Sequence, residues 1–142
     1  MHAQVKWIDN LHFVAHSDSG HALSLDASPE DGGHNLGPTP MELLLIGAGG
    51  CASMDVVTIL KRGRHAIQGC VATLEAECAQ QDPQVFTRIH LHFEVRGMGL
   101  TSTVVERAIA LSAEKYCCAT KMLGMSATIT RDFIIQEVTP RN

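Results

Sequence analysis

Residues 37–62 read GPTPMELLLIGAGGCASMDVVTILKR, and this stretch decides the fold. Thr39-Pro40 is a helix entry: threonine as N-cap, proline in the first turn, and Glu42 three residues after Thr39 as in a capping box. Lys61 and Arg62 suit the C-terminal end of the helix dipole, and Gly63 supplies a stop. The spacing predicts a helix from about Pro40 to Arg62. Its apolar residues are not confined to one stripe, so it must be surrounded, by its own sheet or by a partner chain. Gly47, Gly49, Gly50 and Asp55 interrupt the apolar run before the roughly 20 residues that a membrane span needs, which favours a buried helix.

Outward from this helix the pattern changes period. AQVKWI, LHFVA and ALSLDA, separated by turn residues, predict a three-stranded meander over the first 25 residues or so. SPEDGGHNLGPTP, residues 28–40, is a loop. After the helix, AIQGCVATLEAEC sets Cys70, Ala72, Leu74, Ala76 and Cys78 on one face. VFTRIHLHFEVRG sets Ile89, Leu91, Phe93 and Val95 inward. Strict alternation over this length predicts antiparallel strands with one wet side. Thr101 or Ser102 caps a second helix running to about Tyr116, with Val105, Ala108, Ile109 and Ser112 on one face. CCATKMLG is a short helical turn, and SATITRDFIIQEV a last strand. The element order βββ-α-ββ-α-(short α)-β defines an α+β fold with two main helices on a curved sheet. No repeat or linker divides residues 1–142, so they are expected to form a single domain.

The chain has 142 residues, 45% of them hydrophobic, enough to build a core without a structural metal or disulfide framework. Eleven basic against 15 acidic residues give a formal charge of −4, which offers no reason to expect nucleic acid or an anionic membrane as partner. The N-terminus lacks the pattern of a signal peptide. Five cysteines form neither an even set nor a small secreted scaffold, which points to a reducing compartment, the cytoplasm, with most thiols free.

The cysteines differ in setting. Cys70 and Cys78 alternate with alanine and leucine and read as small buried hydrophobes. Cys51 follows three glycines that each cost about 1 kcal/mol relative to alanine in a helix. Either they permit close packing, or they leave a pocket leading to the Cys51 thiol. Asp55 lies one turn further on and would put negative charge beside that sulfur. Cys117 and Cys118 close the second helix, and either could face Cys51.

GPTPMELLLIGAGGCASMDVVTILKR, followed some sixty residues later by SAEKYCCATKML, resembles the OsmC/Ohr family over essentially the whole chain. The resemblance implies small α+β proteins with curved antiparallel sheets around two main helices, intertwined as homodimers, that reduce organic hydroperoxides. It is nearest to the OsmC-like branch without an established substrate. Cys51 falls on the family's peroxidatic cysteine and Cys117 on its resolving cysteine. Cys118 stands where a non-thiol is usual. The family holds the reactive thiolate with an arginine from the N-terminal strands and a glutamate ten residues before the cysteine. That glutamate position is Met41 here, with Glu42 one place later, and no arginine precedes Arg62. Lys6, His16 and His21 are the alternative cations in that region.

The implied reaction takes Cys51 to a sulfenic acid and then to a Cys51–Cys117 disulfide, which a dithiol such as a dihydrolipoyl protein reduces. Sulfur carries both electrons, so no cofactor or metal is required. Met41, Leu44, Leu45, Met54 and Met98 are the expected apolar lining for a bulky peroxide. The alternative is a non-enzymatic protein that binds a small hydrophobic ligand or senses redox state at Cys51. His90 and His92 read as charge pairing on a wet sheet face, with Glu75 and Glu77 opposite. GAGG lacks a βαβ setting and Ser53 a nucleophile elbow, so neither is a cofactor or catalytic motif.

Overall fold

The structure is a computed structural model and describes residues 1–140. Strands β1 (Ala3–Asp9), β2 (His12–Ser17) and β3 (Ala22–Leu25) precede helix α1 (Pro40–Arg62). Strands β4 (Ala66–Cys78) and β5 (Phe86–Met98) lead to α2 (Ser102–Leu111), a π-helical turn (Ser112–Tyr116), α3 (Cys118–Leu123) and β6 (Thr128–Glu137). The order is the one the sequence pattern gives. The chain divides into two compact units, Met1–Leu44 and the residues from Leu45 onward.

In the first unit β1, β2 and β3 form an antiparallel meander. The loop after β3 is organised by Asp26, a buried carboxylate. It accepts N–H groups from Ala27, His34 and Leu36. Burial alone would push its carboxyl up. The three N–H donors and the nearby His12 outweigh that and hold it below the usual carboxylate range. At the end of the loop the capping box forms: Glu42 N–H donates to Thr39 Oγ1 at 3.2 Å, and Thr39 N–H to Glu42 Oε2 at 3.4 Å.

The second unit holds the core. Ile89, Leu91, Phe93 and Val95 of β5 are buried, as are Val56 and Leu60 of α1 and Val105 and Ala108 of α2. β4 pairs with β5 antiparallel, but β6 pairs with β5 in parallel, so this sheet is mixed. The reason is topological: α2, the π turn and α3 together form the crossover that parallel neighbours require. Cys78 is exposed rather than buried, because a register shift between Glu77 and Cys78 ends the alternation there.

α1 has the length and apolarity of a membrane-crossing helix, and only 28% of its most apolar window is buried within the chain. Ala48, Gly49, Ala52, Val56 and Leu60 face protein. Ile46 and Met54 are exposed, Met54 to 73%. Its own chain covers the helix on one side only.

Candidate functional site

Cys51 and Asp55 lie four residues apart on α1, hence on one face, and both are half-buried. The glycines before them do not share one cause. A Cβ on Gly49 would come within 2.6 Å of Leu74 Cδ1, so that glycine lets β4 approach. A Cβ on Gly50 would meet open space. Packing does not demand Gly50, and the side of the helix next to Cys51 is left uncovered.

Cys117 arrives by an unusual route. α2 starts as its sequence dictates, with Val104 N–H donating to Thr101 Oγ1 at 3.3 Å. After Leu111 the winding loosens, and Cys117 N–H donates to Ser112 C=O at 2.8 Å, an i→i+5 bond. Such π turns occur mostly as single-turn bulges in helices, frequently at functional sites. Cys117 then turns extended (φ −75°, ψ 100°) ahead of α3 and is 3% exposed.

The result is a cluster. One ligand atom each from Cys51, Asp55 and Cys117 lies within 4.8 Å of the others. Ser112 Oγ donates to Asp55 Oδ2 at 3.0 Å and fixes the carboxylate. Cys118 is not part of it: its exposed thiol donates to Tyr116 C=O at 3.7 Å. All five cysteines are free thiols among the described residues.

Burial pushes the Cys117 thiol up, and the neighbouring Cys51 adds to that, while the Thr120 hydroxyl and backbone N–H act against it. Among the described residues Thr120 Oγ1 is buried without a hydrogen-bond partner, so its hydroxyl offers Cys117 little. Cys117 is therefore held as a thiol at neutral pH. Arg131 of β6 is half-buried. Burial lowers its pKa, against a smaller opposing effect of negative charge on Cys117.

The model of the OsmC-like protein family matches residues 32–131. The chain belongs to the OsmC-like family. Protein YhfA of Escherichia coli K12 is 42% identical over 133 residues, 94% of this chain and 96% of YhfA. A solved structure described only as structural genomics is 39% identical, with a TM-score of 0.87 over 97% of this chain and 100% of that one. The organic hydroperoxide resistance protein OsmC from Legionella pneumophila shares the fold. Its TM-score is 0.68 at 15% identity, over 92% of this chain and 93% of that one.

Against the OsmC-like pattern, the structure assigns the other expected residues as follows. Glu42 is engaged at the helix start in the capping box, nine residues ahead of Cys51. Lys6, His16 and His21 are exposed in the first unit. Of the expected apolar lining, Leu45 borders a depression of about 510 Å³ together with Ile46, Gly49, Gly50, Ser53 and Leu74. Met54 and Met98 face solvent instead. Cys70 is half-buried; burial pushes its thiol up, against a smaller opposing effect of the Ser53 hydroxyl.

His90 and His92 do face Glu75 and Thr73 in register, but they donate to Asp132 of β6, at 3.0 and 2.7 Å. The parallel pairing of β6 brings Thr130 and Asp132 opposite them. Sequence reasoning passed over Arg131. Its signal was available: Ile129, Arg131, Phe133 and Ile135 alternate on one face, so an arginine occupies an otherwise apolar position.

Proposed function

We propose that this OsmC-like protein is a thiol-dependent peroxidase for organic hydroperoxides. The observation that carries the reading is the approach of the Cys51 sulfur, on α1, and the Cys117 sulfur, at the extended residue between the π turn and α3, to within 4.8 Å. Cys51 attacks the distal peroxide oxygen; the O–O bond breaks, an alcohol leaves, and Cys51 becomes a sulfenic acid. The Cys117 thiol then condenses with it, forming the S–S bond and releasing water. An external dithiol, of the dihydrolipoyl class, restores both thiols. Asp55, held by Ser112, stands where it can take the thiol proton and deliver it to the departing alkoxide.

The half-exposure of Cys51 gives peroxide a route in, while buried Cys117 waits as a protonated resolving thiol. A second copy of the chain covers the bare apolar side of α1, in keeping with a homodimer. The reading needs no nucleic acid, membrane or cofactor, and five free thiols suit the cytoplasm. A ligand-binding protein without turnover is the second reading. It draws on the depression bordered by Leu45, Gly50 and Leu74, whose lining does not include Cys51.

Stopped-flow mixing of the reduced protein with cumene hydroperoxide tests the proposal. Rapid single-turnover consumption is expected, lost in Cys51→Ser. Cys117→Ser is expected to stop at a sulfenic acid that dimedone traps. A wild-type rate no better than that of free cysteine rejects the peroxidase and leaves the ligand-binding reading.

A further inference from the structure

The same three groups have a second chemistry that peroxide reduction does not use. Two thiols and a carboxylate that converge within 4.8 Å form a mixed sulfur and oxygen donor set. With metal–sulfur bonds of about 2.3 Å, a tetrahedral zinc ion needs its sulfurs about 3.8 Å apart. The donor atoms, each within 4.8 Å of the others, exceed that spacing by about 1 Å at most. The Ser112 hydroxyl donates to one Asp55 oxygen and leaves the other to give, the arrangement in which an outer hydrogen bond orients a ligating carboxylate.

The sulfurs select against magnesium and calcium, which take oxygen donors. Cys51 is half-exposed, which leaves the site open to water as a fourth ligand.

We propose that Cys51, Asp55 and Cys117 form a three-ligand site for a borderline-soft divalent cation, zinc by preference, in the reduced protein. Metal binding and disulfide formation use the same two sulfurs and exclude one another. The loaded site shields the thiols, and oxidation of the pair to the disulfide by an organic hydroperoxide, itself reduced to alcohol and water, releases the ion.

Zinc alone is titrated into the reduced full-length chain against a chromogenic chelator, in a Cys78→Ser/Cys118→Ser background that removes the two exposed thiols. One zinc per chain is expected, with an affinity tighter than about 1 µM at pH 7. Cys51→Ser or Cys117→Ser abolishes it, and Asp55→Asn weakens it about tenfold or more. Release of two protons makes the affinity fall about a hundredfold per pH unit below the thiol range. Cobalt alone is expected to give thiolate-to-metal charge transfer and tetrahedral d–d bands, which a misfolded chain would not. Absence of stoichiometric zinc, or zinc that survives Cys51→Ser, overturns the site. Neither result bears on peroxide consumption, which is measured without metal.

Discussion

The two sheets of this chain are built from similar alternating strands and end in opposite states. β5 buries Ile89, Leu91, Phe93 and Val95, whereas every residue of β1 is exposed, Trp7 to 62%. Both strands carry large apolar side chains, so the difference lies in what each strand's own unit sets against it. The second sheet has helices of its own unit to cover one face. The first has a hairpin partner and a loop. Alternation tells which residues share a face; it does not tell whether that face is covered from within the chain or from outside.

The contrast can be broken by substitution. Phe93→Ala, in the covered sheet, is expected to cost about 3 to 5 kcal/mol of stability. That is a large share of the roughly 5 to 15 kcal/mol available to a domain, and urea unfolding would read it as a lower midpoint. Thr39→Ala, at the start of α1, removes one half of the capping box and is expected to cost about 1 kcal/mol by the same measurement.

Trp7→Ala, in the uncovered sheet, is expected to change the unfolding free energy of the isolated chain by about 0.5 kcal/mol or less. If a second copy covers this surface, the same substitution shifts light scattering toward the monomer. A Trp7 cost as large as that of Phe93 in a monomeric sample would erase the distinction between the sheets.

The smallest effect belongs to the wet face of the second sheet. The His92 hydrogen bond is the largest influence on the Asp132 carboxyl, and with the His90 hydrogen bond it holds the group below its usual range against the upward push of burial. A carboxyl lowered on folding stabilises the protein above its unfolded pKa, about 3.9. That stabilisation disappears as pH falls from there through the lowered folded value. Asp132→Asn is expected to flatten this part of the acid limb and leave stability at neutral pH nearly unchanged. An unaltered slope between pH 4 and 2 in thermal melts would count against the pairing.

Much of this was legible in the sequence, for identifiable reasons. Thr39, Pro40 and Glu42 announce α1 by local hydrogen bonding alone. Alternation places Leu91 and Phe93 inward without knowledge of any neighbour. The parallel placement of β6 was not legible, because strand direction depends on how the crossover packs. Nor was the Ser112–Asp55 bond, which joins residues 57 positions apart. Ser112 had been placed on the buried face, and Asp55 one turn from Cys51, but their meeting depends on the loosened turn after Leu111. Arg131 occupies a position where alternation expects an apolar side chain, and exceptions of that kind are where function departs from packing.

The loosened turn has a consequence for how this lineage can vary. Deleting a residue from a regular helix swings everything downstream through about 100°. Here five residues span what four would span in an α-helix, with the Ser112 carbonyl and the Cys117 amide already bonded across the surplus. Loss of one codon at exposed Glu114 would restore ordinary winding and keep that bond, so the inward sulfur would hold its station. The turn is therefore expected to tolerate loss of one residue, and near-native melting of the Glu114 deletion would reveal it.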